Sequence, residues 1–126
     1  MRETLSEIDM SESVYGDRIE ALVEGLDAML DHMNDSYREW MKTDDPIKKR
    51  MCSEYHASLT YYMGKKYVKV VSNNSVCAFV VACDGDKKFE FGDILKPAGW
   101  KAPARNFRRG NVLDRSFDRV RWTGAL

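Results

Sequence analysis

The sequence predicts an α+β protein, in which an N-terminal antiparallel helical hairpin packs on, or projects from, a small antiparallel β-sheet or partly open barrel. Three observations lead to this fold class. Hydrophobic residues recur every three or four positions as far as residue 63, the period becomes two after Gly64, and acidic residues concentrate in the first half of the chain. We expect an acidic helical hairpin over residues 1–64 and a basic, β-rich region over 65–126. They should fold as one cooperative unit, because 126 residues suit a single domain.

The first helix is predicted from Arg18 to about Lys42, with Asp17 as its N-cap. Its apolar residues follow helical spacing and are Ile19, Leu22, Val23, Leu26, Met29, Leu30, Met33, Tyr37, Trp40 and Met41. This stripe is wider than one short partner helix would cover. We therefore expect a homodimer formed through the helical hairpin.

The second helix is predicted to begin at Pro46, with Asp45 as its N-cap, and to end at Met63. Gly64 is placed to terminate it in a left-handed conformation. Because the connection between the two helices is short, we expect them to be antiparallel neighbours.

Residues after Gly64 predict short strands and turns rather than helix. The predicted strands are 67–71, 76–81, 89–91, a short strand from 94, and 120–122, and the predicted turns are 73–74, 84–85 and 92–93. Asp84-Gly85 is a typical hairpin dipeptide. From Pro97 onward the segment PAGWKAPARNFRRGN is interrupted by proline and glycine, which predicts an irregular loop.

The net charge of zero hides a strong segregation of charge. Residues 1–45 carry four Lys/Arg and thirteen Asp/Glu, a balance of −9, whereas residues 64–126 carry thirteen and six, a balance of +7. Either the two halves attract each other or each half faces a different partner.

Composition indicates a cytoplasmic protein with no membrane partner. No apolar run reaches the ~18 residues that cross a bilayer. The acidic N-terminus lacks the apolar core of a secretory signal. The three cysteines, Cys52, Cys77 and Cys83, show no disulfide spacing, which is typical of reduced thiols.

An acidic ridge runs along the first helix, on the side opposite the apolar stripe. Its clearest members follow each other at intervals of four residues and are Asp27, Asp31, Asp35 and Glu39. Like charges at this spacing repel one another, by a few tenths of a kcal/mol per pair. The ridge is either a solvated face, a surface that docks onto a basic partner protein, or a mimic of a nucleic-acid backbone.

The basic segment after residue 95 is the best candidate for a binding site. Arginine binds phosphate through two parallel hydrogen bonds, and aromatic rings can stack on bases. The candidate residues for nucleic-acid or polyanion binding are Lys96, Trp100, Lys101, Arg105, Arg108 and Arg109. The alternative is structural, with Trp100 in the core and the arginines paired with the acidic helix.

Arg108 and Arg109 carry the most specific expectation. They adjoin a Gly-Asn turn, where adjacent arginines are hard to pair internally. We expect that changing both to Glu weakens nucleic-acid binding and leaves the thermal melt nearly intact.

The sequence assigns no catalytic residue, no metal and no cofactor. Cys52, His56, Cys77 and Cys83 would bind zinc only if helix and strand converged, and no Cys-x-x-Cys pair is present. Glu90, Asp93 and Lys96 resemble part of a metal-nuclease arrangement, but three such residues within seven positions occur readily by chance. An enzymatic function is therefore uncertain, and a non-enzymatic one is favoured.

Four short motifs resemble those of a family of small tailed-bacteriophage proteins of unknown function. They are Ser75-Val76 with Phe79-Val80, then Gly92 to Lys96, then Trp100-Lys101 with Pro103-Ala104, and last Arg109 with Asn111-Val112-Leu113. In that family His often stands where this chain has Cys77. The resemblance covers about residues 65–114 and leaves out the helical hairpin, which looks like an addition particular to this chain. It implies a viral protein in the cytoplasm of an infected bacterium, working as an accessory or host-takeover factor.

Three hypotheses of function follow. The first is a phage binding protein that contacts nucleic acid or another polyanion through its basic C-terminal loop region. The second is an inhibitor that acts through the acidic ridge on a host protein, for example a protein of anti-phage defence. The third is a small nucleic-acid-processing enzyme.

Overall fold

The computed structural model describes residues 18–41 and 45–126. Within these two ranges, two helices precede seven strands: α1 (Ile19–Met41), α2 (Pro46–Ser58), β1 (Leu59–Met63), β2 (Tyr67–Ser72), β3 (Ser75–Val81), β4 (Asp93–Leu95), β5 (Gly110–Asn111), β6 (Val120–Arg121) and β7 (Gly124–Ala125). Strands β1 to β5 form one antiparallel sheet in chain order, and β6 pairs with β7 in a second, two-stranded sheet. The α+β class with a small antiparallel sheet is confirmed, and the sheet is open rather than closed into a barrel. No helix in the described parts of the chain is long and apolar enough to cross a membrane.

The apolar stripe of α1 is buried against the sheet within this chain. Leu22, Leu26, Met29 and Met33 are fully inaccessible to solvent. The surface on which we based the expected dimer is thus largely covered by the chain's own strands, and the dimer itself stays a prediction. Val23 and Met41 are half-buried, and Trp40 has 63% of its surface exposed. The N-cap predicted at Asp17 lies outside the described residues.

The two helices lie against each other as an antiparallel pair. Tyr37 of α1 stacks on Tyr55 of α2, with ring centroids 4.4 Å apart, and Asn34 is hydrogen-bonded to Nδ1 of His56. Asp45 caps α2 as predicted, because its carboxylate accepts a hydrogen bond of 2.8 Å from the backbone N–H of Ile47.

The predicted end of the second helix is wrong. The helix ends at Ser58, and residues Leu59–Met63 form strand β1 at the edge of the sheet. The residues LTYYM favour a strand, since β-branched and aromatic side chains pack well on a pleated surface. Gly64 therefore does not cap a helix. It lies in the turn from β1 to β2, where its N–H donates to the carbonyl of Tyr67 at 3.0 Å.

The turn predicted at Asn73-Asn74 is confirmed. Both residues have positive φ, at 49° and 65°, which matches the tight turn that joins right-twisted antiparallel strands. Asparagine tolerates this left-handed conformation better than other non-glycine residues.

The hairpin predicted at Asp84-Gly85 and the strand predicted at 89–91 are both wrong. Residues 82–92 form one loop between β3 and β4, closed by a 2.7 Å hydrogen bond from the Gly92 N–H to the Val81 carbonyl. Phe89 and Phe91 alternate in the sequence because they enter two different hydrophobic clusters. The period-two pattern was real, but it arose from a loop that contributes to both clusters.

The sheet has two unlike faces, and this difference positions the candidate site. The inner face packs on α1 and forms the main core, which also contains Val112, Phe117 and Val120 from the C-terminal region. The outer face carries a smaller cluster made of Phe79, Val81, Phe89 and Leu95. One edge of the outer face is left open as a groove.

Candidate functional site

A groove with a volume of about 380 Å³ lies on the outer face of the sheet, beside the β1–β2 turn. It is lined by Tyr62, Met63, Gly64, Lys65, Lys66, Tyr67, Lys69, Phe79, Trp100 and Lys101. We call this surface the basic groove. Among the described residues that line it, four are lysines, four are aromatic and none is acidic.

Strand pairing places the floor of the basic groove. Tyr62 of β1 stands opposite Lys69 of β2, and Lys69 stands opposite Phe79 of β3. Residues opposite each other on antiparallel strands project from the same face. Their neighbours along the strands, Tyr61 and Val70, project inward and are fully buried. The alternation of the strands thus separates the core from the groove.

Trp100 and Lys101 form one wall of the basic groove. They belong to a loop that doubles back between Pro97 and Pro103, which form an isolated bridge. Within the loop, the Ala98 N–H donates to the Ala102 carbonyl at 3.0 Å. The indole of Trp100 remains 48% exposed, with the Lys69 ammonium 4.7 Å from its centroid. Trp100 is therefore a fixed surface residue and not part of the core.

The positive charge of the basic groove is mostly uncompensated. Lys65, Lys69 and Lys101 form no ion pair with any residue in 18–41 or 45–126. Lys66 lies 3.8 Å from Asp86, whose carboxylate is also bound by an arginine. Clustered lysines without acidic partners create a field that attracts anions.

Arg105 is the first of the predicted binding arginines, and it is paired internally. Its guanidinium donates to Asp86 at 2.9 Å and to the hydroxyl of Tyr67 at 2.6 Å. The Arg105 hydrogen bond, together with the backbone N–H groups of Lys88 and Phe89, holds the pKa of Asp86 well below its usual range. The same pairing raises the pKa of Arg105. Arg105 ties the wall of the basic groove to the 82–92 loop.

Arg108 is also paired, so the expectation that the adjacent arginines lack internal partners is wrong. Its guanidinium donates to the buried carboxylate of Asp93 at 2.9 Å. Asp93 in turn accepts hydrogen bonds from the Asn111 side chain at 2.9 Å and from the Glu90 N–H at 2.8 Å. The partner is a carboxylate of β4 rather than the acidic helix.

Arg109 is buried, with only 5% of its surface exposed, although it was a candidate for binding a ligand. Its guanidinium donates to Asn106 and to the Phe107 carbonyl, and it lies 3.9 Å from the centroid of the Phe107 ring. Burial and the neighbouring charge of Arg119 lower its pKa. The turn at 108–111 is therefore packed and internally bonded.

The motif from Gly92 to Lys96 has a structural role. Gly92 has φ of +90°, and a Cβ there would lie 2.7 Å from the Asn111 side-chain oxygen. Asn111 also accepts from the Leu113 N–H at 2.7 Å and joins β4 to β5 through Asp93. These contacts explain why glycine, aspartate and asparagine occur together. They also engage the carboxylate of Asp93, one of the three groups that resembled part of a metal-nuclease arrangement.

Lys96, the remaining basic candidate, is exposed directly after β4 and does not line the basic groove. Of the six predicted residues, the structure brings only Trp100 and Lys101 into the groove.

The acidic ridge lies on the open side of α1. Asp31 and Glu39 are exposed and form no ion pair with the described residues, whereas Asp35 pairs with Arg38 at 2.8 Å. Asp27 is half-buried and interacts with another group of the protein. The ridge faces away from the sheet, so it does not neutralise the basic groove.

The four residues weighed as zinc ligands do not converge. Cys52 and His56 line a cavity of about 490 Å³ between the helices, Cys77 lines a different cavity beside Trp122, and Cys83 lies in the 82–92 loop. Within 18–41 and 45–126, no three His, Cys, Asp or Glu side chains are grouped to hold a metal. Burial raises the pKa of the Cys77 thiol to about 11, so this thiol is neutral near pH 7.

Sequence reasoning missed Tyr62, Lys65, Lys66 and Lys69 as site residues. The predicted helix through Met63 hid the alternation of β1, which is what turns Tyr62 away from the core. The signal was present as a run of lysines interleaved with tyrosines over residues 61–69. Reading it required the strand assignment.

Comparison with known proteins places the chain in a family but gives it no activity. No curated protein and no solved structure matches the chain. One family model does match, over residues 9–126, and this range includes the helical hairpin that looked like an addition particular to this chain. The chain therefore belongs to a family of unknown function (DUF7717).

Proposed function

We propose that this protein binds nucleic acid through the basic groove. One observation carries the proposal: four lysines and a half-exposed tryptophan converge on one groove that has no acidic lining residue. Lysine ammonium groups bind phosphates as point charges, and the release of counterions drives such binding. This proposal keeps the function expected from the sequence and moves its centre from the arginines to the lysines.

The biological setting is part of the same proposal. The resemblance of residues 65–114 to small phage proteins supports a phage accessory or host-takeover factor in the bacterial cytoplasm. A binding role is favoured over an enzymatic one, because the Asp93 carboxylate, which suggested a metal nuclease, already accepts hydrogen bonds from Arg108 and Asn111. Capture of partners from infected cells, with and without nuclease treatment, tests this setting.

The central experiment compares two double variants with the same change of charge. Lys65→Ala with Lys101→Ala removes two groove lysines, and Lys48→Ala with Lys87→Ala removes two exposed lysines outside it. Binding of a labelled oligonucleotide is followed by fluorescence anisotropy over a series of salt concentrations. We expect the groove variant to lose about tenfold in affinity, and the slope of log K against log salt to fall by about two, roughly one for each lysine.

The control variant should keep both the affinity and the salt slope of the wild type. Equal losses in the two variants would show only a general effect of charge. A wild type that does not bind at low salt would overturn the proposal.

A second candidate function, inhibition of a host protein through the acidic ridge, keeps one supporting observation. Asp31 and Glu39 project from α1 and have no cationic partner among the described residues. A basic surface on a host protein would complement them. This candidate predicts binding that does not depend on the basic groove.

A further inference from the structure

The basic groove presents ring faces as well as charge, and the two have different consequences for a ligand. Tyr62 is 52% exposed and Trp100 is 48% exposed, although large aromatic side chains gain free energy from burial. Phe79 lies beneath them as a buried part of the floor. Phosphate binding by itself would not require exposed rings.

The lysines lie beside the rings rather than apart from them. The Lys69 ammonium is 4.7 Å from the Trp100 centroid and 5.9 Å from the Phe79 centroid. Lys66 stands 5.5 Å from the Tyr67 centroid, so a second cation borders a second ring. A nucleotide has the same juxtaposition, since its phosphate is covalently joined, through a sugar, to a flat base.

The backbone that carries these groups is ordered before any ligand arrives. Cross-strand pairing fixes the backbone of Tyr62 and Lys69, and the loop closed at Pro97 and Pro103 fixes that of Trp100. No backbone has to be ordered when a ligand binds, which limits the entropy lost on binding.

A duplex cannot use this arrangement, because its base faces are stacked on one another and only its edges and phosphates are accessible. An unpaired strand can present its base faces to aromatic side chains. We infer that the basic groove takes single-stranded nucleic acid, with a base stacked on Trp100, a neighbouring base on Tyr62, and their phosphates held by Lys65, Lys69 and Lys101. This inference rests on the proposed function and names the class of ligand for that site.

The test uses three probes of equal length that differ in whether base faces are present and accessible. They are an oligothymidylate of roughly 12 nucleotides, an abasic strand of the same length with the same phosphates, and a duplex of that length. Each is titrated against wild type, Trp100→Ala, Trp100→Phe and the double lysine variant Lys65→Ala with Lys101→Ala.

We expect wild type to prefer the oligothymidylate over both other probes. Trp100→Ala should weaken oligothymidylate binding by between about 5-fold and 150-fold, which corresponds to the roughly 1–3 kcal/mol of one stacked base. The same variant should weaken binding of the abasic strand far less, because that strand has no base to stack on the ring. Trp100→Phe should retain most of the preference, because phenylalanine also offers a ring face. The thermal melt of Trp100→Ala serves as the folding control.

The outcomes separate this inference from the function on which it rests. If all three probes bind equally well and only the double lysine variant weakens them, the inference fails while nucleic-acid binding stands. A duplex bound more tightly than the oligothymidylate would also overturn it. If none of the probes binds at low salt, the inference and the proposed function fail together.

Discussion

The arginines of residues 105–109 and the lysines of the basic groove carry the same charge, but they differ in how far that charge is used inside the protein. Arg105 and Arg108 each bind a carboxylate that is almost wholly buried, and Arg109 is itself buried on a phenylalanine ring. Lys65 and Lys101 are exposed and form no ion pair within the described chain. The arginines hold the loops together, and the lysines leave their charge available to a ligand.

This difference follows from the chemistry of the two side chains. A guanidinium is planar and weakly hydrated and offers five N–H donors, so it satisfies several acceptors at once inside a structure. An ammonium is compact and strongly hydrated, and it remains at the surface on a flexible stem. A run of basic residues is therefore not one functional unit, because its members divide according to the partners that the fold supplies.

The largest expected effect comes from reversing charge in the two groups. Arg108→Glu with Arg109→Glu should lower the free energy of unfolding by about 3 kcal/mol or more, since it breaks the contact with Asp93 and buries a carboxylate beside Phe107. Lys65→Glu with Lys101→Glu makes the same change of net charge and should cost less than about 0.5 kcal/mol. Urea unfolding at neutral pH measures both values.

Unfolding of both double variants at the same urea concentration would contradict the difference between the two groups. In that case the arginines would be no more structural than the lysines. The original expectation of an intact thermal melt for the arginine variant would then stand.

A smaller effect concerns acid stability and the Asp86–Arg105 pair. The pKa of Asp86 is lowered in the folded protein, so its stabilising contribution is complete above the unfolded pKa of about 3.9 and is lost as the pH falls through the folded pKa. Asp86→Asn should cost about 2 kcal/mol at neutral pH. The difference between wild type and variant should shrink below about pH 4.

Urea unfolding of both proteins at several pH values checks this prediction. A difference that stays constant from neutral pH to about pH 2 would mean that the carboxylate charge contributes nothing to the pairing. The 82–92 loop would then be held by packing of Phe89 rather than by Arg105.

The smallest effect is expected on the acidic ridge. Asp31→Asn should raise the free energy of unfolding by a few tenths of a kcal/mol, because it relieves repulsion from Asp27 and Asp35 at i±4. Nucleic-acid affinity should not fall. Thermal melts and the anisotropy titration measure both properties.

A loss of more than about 1 kcal/mol in Asp31→Asn would show that the ridge is structural. If Asp31→Asn no longer captures a host protein from infected cells but still binds nucleic acid, the result would favour the inhibitor function.

Several elements could be predicted from local sequence because their signals depend on neighbouring residues. The apolar spacing of α1, the Asp45-Pro46 start of α2 and the Asn73-Asn74 turn are of this kind, and the structure contains all three. Each depends on hydrogen bonds or periodicity within a few residues. The end of α2 could not be placed in this way, because helical apolar spacing continues as far as residue 63 and competes with the strand preference of Leu59–Met63, which pairing with β2 decides.

The candidate site divides in the same way. The sequence by itself determined that the C-terminal half is basic and interleaved with aromatic residues, and it singled out Trp100 and Lys101. Only the tertiary structure decided which cations remain available, because the partners of Arg105 and Arg108 lie 19 and 15 residues away along the chain. It also brought Tyr62 and Lys69 beside Trp100, through strand pairing and a folded-back loop. Charge belongs to the sequence, whereas the compensation of charge depends on contacts that exist only after the chain has folded.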